Sequence, residues 1–229
     1  MADRDRAPDP TLGVFDTLLV RDGRPVDLTV HLERLTRSVA ELYGVRVAVA
    51  GLAERLLAEV EGMATARVRT TYDPVRTAME IDATAIAEPG LEPRSLEVRR
   101  LPGGLGPHKW LDRPHAPDWL AVDLDGAVLE AAWANVWIEA ADGALLTPPA
   151  DGRILPGVTR ARLLADPRAR EARLTLTDLR TARAILLTSS IRLVTPAGLL
   201  REPTRWARIL AARLREDPAI STKTQSYIR

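Results

Sequence analysis

Four prolines and four glycines crowd residues 89–108. A stretch so rich in residues that interrupt regular structure splits the chain into an earlier and a later set of elements. Before it, Leu12 to Val20 reads as a strand and Arg21-Asp22-Gly23-Arg24 as a turn into a second strand. Thr29 reads as an N-cap, Leu32, Leu35, Val39 and Leu42 fall at helical spacing, and Gly44 ends that helix. A second amphipathic helix runs through Leu52, Leu56, Leu57 and Val60, and Ala66–Tyr72 and Met79–Ile86 alternate like strands. After it come strands near 119–122, 127–131, 135–140 and 184–187, a helix from Thr159 and a last helix over about 204–215. This mixed order lacks strict β-α-β alternation and so favours an α+β fold. With 229 residues, 46% of them hydrophobic, two small domains can each hold a core. The expected division is a smaller N-terminal α+β domain over 1–100, a linker over 101–108 and a C-terminal domain over 109–229.

The net charge is +1 with acids and bases interspersed, so no basic block is long enough to track a nucleic acid backbone. Cysteine is absent, which excludes a disulfide framework and thiolate chemistry. His31, His108 and His115 are too scattered for a zinc site, and no metal is expected. The start, Met-Ala-Asp-Arg-Asp-Arg, is polar, and no apolar run reaches the length of a membrane span. A soluble cytoplasmic protein is the expectation.

Lysine is nearly missing. Of 32 basic residues only Lys109 and Lys223 are lysines. Arginine serves surface roles equally well but stays protonated, whereas a buried lysine amine can lose its proton and act as nucleophile or base. Lys223 lies in the polar tail Ser221-Thr222-Lys223-Thr224-Gln225, and Lys109 follows the glycine-rich run that ends Gly106-Pro107-His108. Lys109 is therefore the candidate for covalent chemistry.

Four segments surround that candidate in sequence: His31-Leu32-Glu33-Arg34-Leu35; His108-Lys109-Trp110-Leu111-Asp112-Arg113; Glu130-Ala131-Ala132-Trp133-Ala134-Asn135, followed by Thr147-Pro148-Pro149 and Leu155-Pro156-Gly157-Val158-Thr159-Arg160; and Thr188-Ser189-Ser190-Ile191-Arg192 ending at Thr195-Pro196. In order and spacing they resemble the class IV aminotransferases, the fold-type-IV enzymes that use pyridoxal 5'-phosphate. The resemblance runs from about Gly13 to Pro196. It implies a two-domain fold of the D-amino-acid and branched-chain aminotransferase kind, a homodimer, and a small-molecule substrate with carboxylates. In this resemblance Lys109 matches the lysine that condenses with the cofactor aldehyde and Glu130 the carboxylate facing the pyridine nitrogen. Arg34 and Ser190 match phosphate ligands; Pro156-Gly157-Val158-Thr159 opens a helix, so the Val158 and Thr159 amides can point at the same anion, and His31 reads as structural, packing or capping near Arg34.

Two readings bear on the reaction. Lys109-Trp110-Leu111-Asp112-Arg113 resembles the Lys-x-Leu-Asn-Arg of aminodeoxychorismate lyases, and Ser189-Ser190-Ile191-Arg192 resembles their Asn-Ser-Leu-Arg. The resemblance thus implies a lyase that releases pyruvate and forms 4-aminobenzoate for folate biosynthesis, with Arg192 and Arg113 at substrate carboxylates. An aminotransferase of D-amino or branched-chain amino acids shares the cofactor residues and stays open, as does a non-catalytic relative of the fold.

Overall fold

Residues 8–113, 118–199, 202–217 and 220 are described by a computed structural model of the chain. They form two compact units: one holds the residues up to Pro89 together with His108–Arg113, the other Gly90–Pro107 and the described residues from 118 onward.

In the first unit, strands β1 (Val14–Arg21), β2 (Arg24–Pro25), β3 (Ala66–Asp73) and β4 (Ala78–Ala85) make an antiparallel sheet in the order β2-β1-β3-β4. Helices α1 (Leu28–Tyr43) and α2 (Val49–Glu59) cover one face. α1 starts at Leu28, directly after Asp27 rather than at the expected cap Thr29. It closes at Gly44 in the left-handed conformation (φ 68°) that glycine adopts without steric cost. β3 alternates strictly: Ala66, Val68, Thr70 and Tyr72 are buried, whereas Arg67, Arg69, Thr71 and Asp73 lie on the other face. Leu18, Val20, Ala66 and Val68 pack with Leu28, Leu32, Leu52, Leu56 and Val60 to make the core between sheet and helices. β1 differs from β3 in being buried on both faces, Phe15, Thr17 and Leu19 included.

The segment around Lys109 belongs to this unit, not to the C-terminal stretch in which the expected linker boundary put it. The reason is backbone pairing. The Phe15 N–H donates to Lys109 O (2.8 Å), the Leu111 N–H donates to Gly13 O (3.1 Å), and Val14 bridges Trp110.

The second unit is built on β5 (Arg94–Arg100), β6 (Trp119–Val122), β7 (Val128–Ala131), β8 (Ala134–Glu139), β9 (Leu145–Thr147), β10 (Ala169–Glu171), β11 (Ala184–Ser189) and β12 (Leu193–Leu199). Their order is β10-β9-β8-β11-β12-β5-β6-β7, and β7 also pairs with β8. Six strands therefore close into a ring, from which β9 and β10 extend at β8. Leu96, Leu120, Val136, Ile138, Ile185, Leu187 and Ala197 pack into one cluster along it, with Leu174, which precedes the N-cap of α4 (Leu176–Thr181), and Leu179 within that helix. On the opposite face of β11, Ala184 and Leu186 pack with Leu210, Ala211 and Leu214 of α5 (Arg205–Glu216). The short α3 (Val158–Leu163) packs on β11 as well.

The glycine-rich run expected as a linker is a fixed loop of this unit. The Leu101 N–H donates to Val122 O, the Gly103 N–H to Asp123 Oδ1, and the Gly106 N–H to Arg153 O. A Cβ on Gly104 would stand 2.0 Å from Arg153 O, so only glycine fits there. β5 lies within residues 89–108 and was not expected from the sequence.

Candidate active site

Asp16 is the organising charge of the first unit. It sits in a strand whose neighbours are apolar, is 3% exposed, and must therefore be paired. Arg34 grips it with Nε on Oδ2 and Nη2 on Oδ1, both at 2.8 Å, and His31 Nδ1 lies 2.8 Å from Oδ1. A carboxylate only accepts, so the His31 proton lies on Nδ1. Burial alone would raise the Asp16 pKa, but the Arg34 charge and the His31 hydrogen bond hold it well below the usual carboxylate range. Burial pushes His31 down and keeps the ring neutral, against the pull of Asp16. His31 is thus a partner of a buried carboxylate, and Asp16 is the residue that the sequence reading missed.

His31, Arg34, Ser38 and Glu41 recur at helical spacing and make a polar stripe on α1. Its far end reaches His108, whose Nδ1 is 3.0 Å from Ser38 Oγ and whose Nε2 is 3.8 Å from Glu41. The His108 ring also meets Trp110 edge-on at 5.5 Å. One helix face therefore holds both Asp16 and the residue just before Lys109.

The Lys109 amine lies 4.9 Å from the centre of the Phe15 ring, and the Arg69 guanidinium lies 4.4 Å from the same ring. Burial pushes the amine down to about 7; Asp16 opposes this, and Arg34, Arg113 and Arg69 add to it. Near neutral pH a large fraction of this lysine is an unprotonated amine. Arg69 is itself depressed by burial and by its neighbour Arg67, and the Nε of each is buried without a hydrogen-bond partner.

In the second unit Glu130 ends near the β7–β8 turn, opposite Asn135 across the ladder, and Asn135 lies opposite Thr188 of β11. Glu130 is 2% exposed and its Oε2 accepts the Leu155 N–H at 3.2 Å, while Asn135 Nδ2 donates to Leu155 O at 2.9 Å. Both peptide groups flanking Leu155 are thereby fixed. A Cβ on Gly157 would lie 2.0 Å from Asn135 Oδ1, so this close approach holds only while Gly157 lacks a side chain or Asn135 gives way. Val158 and Thr159 open α3 and are buried; Ser190 is half-buried in the turn after β11. Arg160 is anchored below them on Pro148 O (2.7 Å) and Glu171 (2.5 Å). Arg192 donates to Glu92 at 2.7 Å and stacks on Trp133 at 5.8 Å.

The expected site residues thus fall into two groups. Lys109, Arg34 and Arg113 lie in the first unit; Glu130, Val158, Thr159, Ser190 and Arg192 lie in the second. Among the described residues no cluster of His, Cys, Asp and Glu is arranged to hold a metal ion. No helix among them is long and apolar enough to cross a membrane.

Comparison with known proteins fits this arrangement. Residues 106–199 match the family described as amino-transferase class IV. No match was found among curated proteins. A fold IV-transaminase from Curtobacterium pusillum is 25% identical, with a TM-score of 0.78, over 96% of this chain and 91% of that one. A hypothetical aminotransferase from Mycobacterium tuberculosis, solved in a PLP-bound form, is 25% identical, with a TM-score of 0.76, over 97% and 95%. The 4-amino-4-deoxychorismate lyase from Pseudomonas aeruginosa shares the fold at 24% identity and a TM-score of 0.70, over 96% of each chain. The chain has the fold of the fold-type-IV transaminases and carries, over residues 106–199, the sequence pattern of the class IV amino-transferases.

Proposed function

We propose that the protein is a pyridoxal phosphate-dependent enzyme, and that its reaction is the release of pyruvate from 4-amino-4-deoxychorismate to form 4-aminobenzoate. The observation that carries this is the placement of the Lys109 amine, buried 4.9 Å from the centre of the Phe15 ring; burial pushes it down to about 7 against the pull of Asp16, with Arg34, Arg113 and Arg69 adding to the shift. A lysine so placed is suited to attack a carbonyl and to move protons near neutral pH.

The residues present fit the cofactor. Glu130 is a buried carboxylate suited to hold the proton of a pyridine nitrogen. We expect the Val158 and Thr159 amides, the Ser190 hydroxyl and the Arg34 guanidinium to serve as ligands of the cofactor phosphate. When bound, pyridoxal phosphate supplies an aldehyde and an electron-withdrawing ring. Lys109 then takes the proton from the substrate ring carbon that bears nitrogen. The bond from the ring to the enolpyruvyl oxygen breaks, the leaving group gains a proton and departs as pyruvate, and the ring becomes aromatic. Arg192 and Arg113 hold the substrate carboxylates, and Arg69, with its buried Nε unpartnered, adds to a cationic surface suited to such a substrate. We expect the enzyme to act as a homodimer.

The test is direct. Purified protein mixed with pyridoxal phosphate should gain a visible absorbance band that Lys109→Ala removes. With aminodeoxychorismate it should form 4-aminobenzoate and pyruvate in equal amounts, with no amino acceptor. A second reading, an aminotransferase, is favoured by the likeness to the Curtobacterium transaminase. It predicts instead that an amino acid alone converts the bound cofactor to its amine form. A colourless protein that binds no cofactor sinks both.

A further inference from the structure

The starts of β5, β6, β8 and β12 and the ends of β7 and β11 share one end of the closed ring, as the ladder directions require. Three side chains stack there. Trp133, in the β7–β8 turn, carries Arg94 at 5.7 Å and Arg192 at 5.8 Å from its ring. Arg94 opens β5, and Arg192 lies in the turn before β12. Trp133 also packs against the core of the ring, so its indole is a fixed platform that orients both guanidiniums.

Each guanidinium has a carboxylate, and the two pairs differ. Arg94 stands 3.8 Å from Asp118, with side chains 23% and 34% exposed. Arg192 donates to Glu92 at 2.7 Å, but Glu92 is 64% exposed and comes from the segment Gly90-Leu91-Glu92-Pro93 ahead of β5. An ion pair so open to water contributes little to stability. Arg192 is held independently, by the Trp133 ring and by its own N–H on Ser189 Oγ at 3.2 Å. Arg94 Nε is buried beside it with no hydrogen-bond partner. Replacing Glu92 by an incoming carboxylate keeps the charge balance and leaves the platform intact.

Taking Arg192, backed by Trp133 and Arg94, as a carboxylate site, we propose that Glu92 occupies it as an internal competitor of the ligand. Glu92 then sets how much free ligand is needed to fill the site. The role of this site in turnover rests on the lyase reading above; its binding of carboxylates does not.

The experiment uses the whole chain without cofactor, titrated by calorimetry or ligand-observed NMR with 4-aminobenzoate and with the uncharged 4-aminobenzamide. The acid should bind and the amide should not. Glu92→Gln should tighten the acid by about two- to fivefold, the range set by losing an exposed ion pair. Arg192→Gln should weaken it by about tenfold or more. Unchanged or weaker binding in Glu92→Gln overturns the proposal, as does an amide that binds as well as the acid. Circular dichroism checks the fold of each variant; if Arg192→Gln does not fold, the Glu92→Gln result decides alone, because that side chain is mostly in water. A chain that binds the acid as expected yet takes up no pyridoxal phosphate keeps this site and loses the enzyme. One that takes up the cofactor but does not distinguish acid from amide keeps the enzyme and loses this site.

Discussion

Around Lys109 the N-terminal unit gathers charges; around Glu130 the C-terminal unit gathers backbone. Asp16, His31, Arg34 and Lys109 are four ionisable groups in one neighbourhood; burial lowers the basicity of the amine, Asp16 opposes this and Arg34 adds to it. Glu130 and Asn135 instead spend hydrogen bonds on the peptides either side of Leu155, which fixes the path of the chain into α3. The first arrangement tunes a proton affinity and the second fixes a shape. Substitutions in the first should therefore move pH profiles, whereas those in the second should move geometry with little change in any pKa.

Lys109→Met tests the first half most severely. Activity should fall by about 10²–10⁴-fold, the range for removing a general acid–base group. Stability should move the other way. An amine depressed to about 7 in the folded chain and near its ordinary value of roughly 10.4 when unfolded carries a burial cost. Below pH 7 both states are protonated and the folded chain bears that cost in full. As pH rises from about 7 to about 10.4 the unfolded state holds more protons than the folded one, so the native chain gains stability. Lys109→Met should be more stable than the native chain at pH 6, with the gap narrowing through that window; urea melts at several pH values read this. A constant gap would mean that the amine is not depressed.

Asp16→Asn should cost about 3–5 kcal/mol, because it leaves a buried guanidinium without its charged partner. It also removes the one charge that raises the Lys109 pKa, so the acid limb of the pH–rate profile should shift below 7. The native chain should be acid-labile for the same reason. The folded Asp16 pKa is depressed, so its contribution is present above the ordinary value of about 3.9 and is lost as pH falls below it. A variant with unchanged melts and an unchanged profile would break the contrast between the two units.

The two groups also differed in how far the sequence disclosed them. Glu130, Asn135, Gly157 and Thr159 lie in short runs of distinctive residues, and Lys109 stood out through the rarity of lysine. Asp16 had only one signal, a carboxylate within Val14-Phe15-Asp16-Thr17-Leu18, and its partners come from a helix that follows the strand. That α1 presents His31, Arg34, Ser38 and Glu41 to β1 and to His108 is a tertiary fact, as is the backbone pairing that joins 109–111 to β1. Elements were missed for local reasons. β5 is flanked by proline and glycine that read as linker, and β9 and β10 are three residues each, too short for a pattern. β12 contains Pro196, a residue that argues against a strand. The ladder to β5 begins only at Ala197, while Pro196 lies opposite Leu186 of β11.

Gly157→Ala sharpens the second half with the smallest expected change. No left-handed backbone is involved, so the effect is steric: the new methyl would lie 2.0 Å from Asn135 Oδ1 and must push that side chain off Leu155 O. Overpacking of this kind costs about 1–3 kcal/mol. The pH dependence of Lys109 should stay as it was, since no charge changes, while cofactor affinity should fall as the start of α3 moves. Adding Asn135→Ala should relieve the clash, so the double variant should be more stable than the sum of the two single losses. Strict additivity would mean that Asn135 and Gly157 do not meet, and the shape of this unit would need another cause.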